Sequence, residues 1–195
     1  FIPENIFKTA HDILGSDTLV TTEVGQHQMW TAQYWPFMKP RTFITSGGLG
    51  TMGYGFGAAI GTQVGNPDKT VLHVAGDGSF RMNLNELATV AHYKLPIITL
   101  LMKNNVLGMV RQWQTLFFQK RYSSTDLADV IDYVKLADAF GIKGVNVNDL
   151  DSLRLNIEEA YKERKPRLIV CDIDCNCSVF PIVPPGEAIN NQRFE

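Results

Sequence analysis

The sequence predicts an α/β domain built on an open, mainly parallel sheet flanked by helices. Three observations carry this: five short apolar runs of strand character, their alternation with segments of helical period, and turn motifs that follow the central runs directly. Thr18 to Val24, Thr70 to Ala75, Ile97 to Met102, Gly144 to Val147 and Leu168 to Ile173 are the candidate strands. Most are continuous rather than alternating, the pattern of strands buried on both faces.

Taken in order, the first run ends at Val24-Gly25, where a glycine lets the chain turn. The stretch Ser46 to Gly57 is dense in glycine yet runs into Ala58, Ala59 and Ile60, so it reads as a loop entering a helix. After the second run, Leu84, Leu87, Ala88 and Ala91 follow the i, i+3, i+4, i+7 rule, which predicts a helix beginning near Asn83. Leu153, Ile157, Ala160 and Tyr161 mark another helix. Its charged segment, Glu158 to Lys165, reads as a solvated face with an i, i+4 pair between Glu158 and Lys162. Ile182 to Gly186 contains two prolines and stops regular structure, leaving 181–195 as a C-terminal arm.

Composition narrows the function classes. The chain has 195 residues, 45% hydrophobic and 19% charged, the size and makeup of one domain. Eighteen Lys and Arg against twenty Asp and Glu give a net charge of -2, which argues against nucleic acid or anionic lipid as partner. No apolar run reaches the roughly 18–20 residues that span a bilayer, and the opening FIPENIFKTAHDIL lacks the basic flank and apolar core of a signal peptide. A cytoplasmic protein with no membrane segment is expected. The three cysteines, Cys171, Cys175 and Cys177, do not have structural-zinc spacing and read as reduced thiols at a strand end. The chain starts at Phe1 without Met and is expected to be a piece of something longer.

The chemistry concentrates at Gly76-Asp77-Gly78-Ser79. This turn follows a buried strand, and open α/β sheets bind ligands at that edge. Its backbone N–H groups, the Ser79 hydroxyl and a following helix suit a phosphate. Asp77 would repel that phosphate unless a cation lay between them. Mg²⁺ meets the requirement, because it takes one or two carboxylates together with phosphate oxygens. Twenty-five residues lie between Gly78 and Asn104-Asn105, which ends the next strand. An Asn oxygen there adds a ligand without adding charge. Each motif alone is a common turn signal; their spacing, with a strand before each, is the informative part.

Gly-Asp-Gly, about two dozen residues, then Asn-Asn resembles the diphosphate-binding domain of thiamine diphosphate enzymes. Four further segments, Glu23 to Trp30 (EVGQHQMW), Ser46 to Gly53 (SGGLGTMG), Gly108 to Gln114 (GMVRQWQ) and Pro181 to Gly186 (PIVPPG), resemble the catalytic large subunit of the acetohydroxyacid (acetolactate) synthase family. The resemblance covers nearly the whole chain. It implies that Gln26 and His27 bind the cofactor diphosphate, with Val24 and Gly25 lining the site and His27 donating a hydrogen bond. It further implies that the Gly50 carbonyl accepts from the cofactor's 4'-amino group and that Met52 wedges between its two rings. Asp77, Asn105 and the Leu107 carbonyl would ligate Mg²⁺. Gly76, Gly78 and Ser79 would reach the diphosphate, with Met82, Gly108 and Met109 also at the cofactor. Asn104 would shape the turn. Met109 and Trp113, four apart on one helical face, would line the pocket for a second 2-oxo acid.

Two departures stand out: Phe56-Gly57 where the family has Leu-Pro, and Val106-Leu107 where a polar pair is commoner. The family's activating Glu belongs to a pyrimidine-binding domain, and its FAD contacts to a middle domain; neither has a counterpart in this chain. The resemblance therefore implies a C-terminal piece, 1–195, of an enzyme that joins two 2-oxo acids with loss of CO₂ in branched-chain amino acid biosynthesis. Such an enzyme uses thiamine diphosphate, Mg²⁺ and FAD, forms a homodimer or tetramer through the pyrimidine-binding domain, and leaves room for a regulatory small subunit. The alternatives are a stand-alone β-subunit of a thiamine diphosphate-dependent 2-oxo acid decarboxylase and a non-catalytic binding module.

Overall fold

The computed structural model describes residues 1–127 and 131–194. Six strands form one parallel sheet: β1 (Leu19–Thr22), β2 (Phe43–Thr45), β3 (Val71–Gly76), β4 (Ile98–Lys103), β5 (Lys143–Val147) and β6 (Arg167–Asp172), in the order β2-β1-β3-β4-β6-β5. Among the described residues eight α-helices accompany them: α1 (Pro3–Leu14), α2 (Gln26–Tyr34), α3 (Tyr54–Gly65), α4 (Asp77–Phe80), α5 (Leu87–His92), α6 (Gly108–Phe117), α7 (Tyr133–Ala139) and α8 (Leu150–Glu163). The open parallel α/β architecture is the expected one.

Every residue of β3 is buried, because helices cover both faces. Leu72 and Val74 point into one core with Phe7, Ala10 and Trp30 from α1 and α2, and with Leu153 and Ile157 from α8. Val71 and Ala75 point into the other, with Phe56 and Ala59 from α3, Leu87 and Val90 from α5, and Ala137 from α7. Two apolar faces per strand are what the continuous apolar runs encode. Chain direction across the sheet reverses between β1 and β3, and a switch point of this kind opens a crevice at the strands' carboxyl ends.

Several boundaries differ from expectation. The first strand ends at Thr22, because the Glu23 side chain turns to another task and Gly25 takes φ 151°. The helix expected near Asn83 is instead a single turn, α4, directly after β3, then a 3₁₀ turn at Leu84–Glu86 and α5. The tighter turn shifts the helical phase, so Leu87 and Val90 bury while Ala88 faces solvent. In α8, Leu153, Ile157 and Ala160 bury but Tyr161 is exposed. Glu158 pairs with Arg154 at 3.8 Å rather than with Lys162. Helices α1, α2 and α7 and the three-residue edge strand β2 carry no sequence prediction. The C-terminal arm has no helix or strand among its described residues, only a bridge between Ile182 and Arg193; Glu195 lies outside them. The three cysteines are free thiols, with Cys171 buried in β6. No helix among the described residues is long and apolar enough to cross a membrane.

Candidate functional site

The carboxyl ends of β1, β3 and β4 surround a cleft of about 500 Å³. β1 feeds Val24, Gly25, Gln26, His27 and Trp30 to its wall; β3 supplies Gly76, Asp77, Gly78 and Ser79; β4 supplies Met102, Asn104, Val106, Leu107, Gly108, Met109 and Val110; Met52 reaches in from the loop before α3. Segments far apart in sequence thus meet at the switch point.

Close packing dictates the glycines. A Cβ on Gly76 would lie 2.7 Å from His27 Nδ1, and one on Gly78 would lie 2.7 Å from Leu107 Cδ2. A Cβ on Gly108 would collide with the Gln26 side-chain oxygen. At each of these positions a neighbouring side chain occupies the space a Cβ would need, so only glycine fits.

Asp77 is 1% exposed. Its Oδ2 accepts the Asn105 N–H at 2.7 Å and its Oδ1 accepts the Gly78 N–H at 3.2 Å, so the two motifs 28 residues apart touch directly. Asn105 adopts φ 60°, a left-handed conformation that Asn tolerates better than most residues, and its side chain is exposed. Asn104 turns inward instead: its Oδ1 accepts the Val106 N–H at 3.2 Å and its Nδ2 donates to Gln26 Oε1 at 3.4 Å. The Leu107 carbonyl accepts the Arg111 N–H at 2.9 Å as the first bond of α6, which leaves its second lone pair for a cation. No cluster of three or more His, Cys, Asp or Glu occurs among the described residues. A set of Asp77, the Asn105 amide oxygen and the Leu107 carbonyl fits a hard cation that completes its shell with phosphate oxygens.

His27 is 5% exposed, and its Nε2 has no hydrogen-bond partner. Burial pushes its ring down to about 3, against a hydrogen bond to the Glu23 backbone, so the ring is neutral at pH 7. With its other nitrogen donating to the Glu23 backbone, the neutral ring offers Nε2 as an acceptor that a ligand donor could satisfy.

Gln26 faces the cleft, but its amide is engaged: Nε2 donates to Gln112 Oε1 and to the Cys177 carbonyl, both at 2.9 Å. Gln112 in turn exchanges two 2.8 Å bonds with the Val179 backbone. Gln26 thus ties α6 and the C-terminal segment to the cleft floor.

Of the residues expected at the site, Gly50, Met82 and Asn105 do not line the cleft; Gly50 and Asn105 are exposed and Met82 is 54% exposed. Trp113 joins Met109, Val110, Gln114 and Phe118 around a separate shallow apolar depression on α6. Trp30, Met102, Val106 and Val110 line the cleft without having been expected there. Trp30 was within reach of sequence reasoning, since it stands three residues after His27 on one helix face.

Comparisons with known proteins fit this geometry. Residues 23–171 match the model of the thiamine pyrophosphate enzyme C-terminal TPP binding domain. The chain is 47% identical over 190 residues to the acetolactate synthase isozyme 2 large subunit of Escherichia coli, covering 97% of this chain and 34% of that protein. It is 44% identical over 187 residues to the acetolactate synthase large subunit of Porphyra purpurea, covering 95% and 31%. Against the mitochondrial acetolactate synthase catalytic subunit of Saccharomyces cerevisiae it is 43% identical over 187 residues, covering 96% and 27%. The chain spans about a third of the length of these relatives. With the fold, the cleft and the matched span in agreement, the chain belongs to the family of thiamine pyrophosphate enzyme C-terminal TPP-binding domains.

Proposed function

We propose that this chain is the diphosphate- and Mg²⁺-binding part of an acetolactate synthase, an enzyme that joins two pyruvates, or pyruvate and 2-oxobutanoate, with loss of CO₂. The observation that carries the reading is the 2.7 Å bond from the Asn105 N–H to Asp77 Oδ2, which joins the two motifs. Asp77, the Asn105 side-chain oxygen and the Leu107 carbonyl would hold Mg²⁺. Gly76, Gly78, Ser79 and the start of α6 at Gly108 would offer backbone and hydroxyl donors to the diphosphate. His27 would meet it from the opposite wall, donating from Nε2 in the tautomer that gives up the Glu23 bond, and Val24 and Gly25 would pass beneath. When bound, thiamine diphosphate supplies the electron sink for decarboxylation.

The chain's own work is to anchor, orient and exclude water. Met52 would support the cofactor's bent shape, and Gly50 would accept from its amino group. Met82 would act from behind that loop. Met109 and Trp113 would present apolar bulk to the second 2-oxo acid. The segment from Leu107 to Tyr122 and the C-terminal arm would close over the substrate. Full activity would require the pyrimidine-binding part with its Glu, FAD, and a homodimer or tetramer, with a regulatory small subunit as a further partner.

Titrating thiamine diphosphate into the full-length protein with and without Mg²⁺ tests the reading. Asp77→Ala should abolish the Mg²⁺-dependent gain in affinity, because the diphosphate loses its bridging cation. Equal affinity in wild type and variant would refute the metal assignment.

A further inference from the structure

Glu23 is fully buried, yet its only cation-forming neighbour among the ion pairs of the described residues is His73, whose Nε2 lies 3.9 Å from Oε1. Its carboxylate is instead spent on backbone: Oε2 accepts the Gly53 N–H at 2.6 Å, and Oε1 accepts the Phe56 N–H at 2.9 Å. Burial raises its pKa, making it a weaker acid, and these amides oppose the rise. Helix α3 has no side-chain cap of its own, since its N-cap is Gly53 at φ 88°. Glu23 caps it from another strand. The same glycine is gripped on its other side, because Asn83 Nδ2 donates to the Gly53 carbonyl at 2.6 Å.

This grip sits between the two halves of the cleft. Glu23 directly precedes Val24 to His27, the wall assigned to the diphosphate. Gly53 directly follows Met52, whose Cε comes within 3.9 Å of a Cβ built on Gly78. A Cβ on Gly55 would lie 2.5 Å from the Thr22 carbonyl and the Glu23 nitrogen, so α3 rests directly on the end of β1. A simple helix cap would not need a buried carboxylate, which is costly to desolvate.

We propose that Glu23 and Asn83 are positioning residues that clamp the Gly53 peptide and thereby set the distance between the diphosphate wall and the Gly50–Met52 loop. This inference rests on the thiamine diphosphate reading, in which that loop meets the cofactor's aminopyrimidine end. Removing either grip frees the loop while leaving Asp77, Asn105 and His27 in place. A ligand that spans both halves should then weaken, and one that occupies only the diphosphate half should not.

The test titrates full-length protein, with Mg²⁺ present, with thiamine diphosphate and separately with inorganic diphosphate. Glu23→Gln turns one acceptor into a donor that faces a backbone N–H, and Asn83→Ala removes the other grip at a part-buried site. Each variant should lose about tenfold or more in thiamine diphosphate affinity, the scale of one charged or buried hydrogen bond, and change inorganic diphosphate affinity by less than about twofold. Hydrogen exchange of the segment 50–57 should quicken in both. Unchanged thiamine diphosphate affinity in both variants, or equal loss of both ligands, overturns the proposal. Wild-type protein that binds neither ligand overturns the cofactor reading itself, and this inference with it.

Discussion

Gly76 shows how one residue's size fixes the cleft. Its missing side chain is filled by the His27 ring, so Gly76→Ala must push that ring at least several tenths of an ångström, against a wall that is already buried. The ring carries the unpartnered Nε2, and its position is what a diphosphate would read. Gly76→Ala should therefore lower affinity for Mg²⁺-diphosphate about tenfold or more while costing stability about 1–3 kcal/mol, the range of overpacking. Isothermal titration beside urea unfolding checks this. Wild-type affinity in a folded variant would show that His27 does not face the ligand. The need for glycine here was legible as Gly-Asp-Gly. The identity of the group that fills the space was not, because His27 comes from helix α2, 49 residues earlier.

Among the elements, legibility followed the strength of the local period. β3, β4 and β6 are buried on both faces, and their unbroken apolar runs announced them. β2 is a three-residue edge strand with only part-buried side chains, too short to show any period. Helix α2 buries Gln26, His27, Trp30 and Thr31, so polar residues face the core and no amphipathic stripe exists to read. α1 carries no sequence prediction, although its stripe of Ile6, Phe7, Ala10 and Leu14 with Pro3 in the first turn is as plain as any in the chain. The site's motifs were visible as turns, but the glutamine pair beneath them was not, because Gln26, Gln112 and Val179 meet only through tertiary structure. That pair is a tether: Gln112 satisfies both the Val179 N–H and C=O as well as Gln26. Gln112→Leu strands these buried groups, and each costs about 1–3 kcal/mol. The variant should unfold at distinctly lower urea, and the Val179 amide should lose exchange protection before the strands do. Unaltered protection at Val179 would show that α6 does not hold the C-terminal segment.

Across the whole molecule, two buried histidines make stability depend on pH in a known direction. His27 and His73 are both pushed down to about 3, chiefly by burial, and His73 stacks on Phe56 with ring centroids 5.0 Å apart. In the unfolded chain each titrates near 6.5. Between these values the unfolded state binds more protons than the folded one, so stability is fully present above about pH 6.5 and is lost as pH falls toward 3. Well below 6.5, each histidine approaches a slope of about 1.4 kcal/mol per pH unit. Glu23 acts in the opposite sense, since its raised folded value favours proton retention and adds stability as pH falls through it. Its effect enters above the ordinary carboxylate range and offsets part of the loss at the acid end. The histidine contribution sets in as pH falls through about 6.5, within the range from pH 7 to about 5.5. Urea midpoints measured over that range should fall steadily, and His73→Phe, which keeps a ring against Phe56, should reduce the slope by about half. A profile that is flat from pH 7 to 5.5, or one that His73→Phe leaves unchanged, would mean that these rings are protonated or solvated in the native protein.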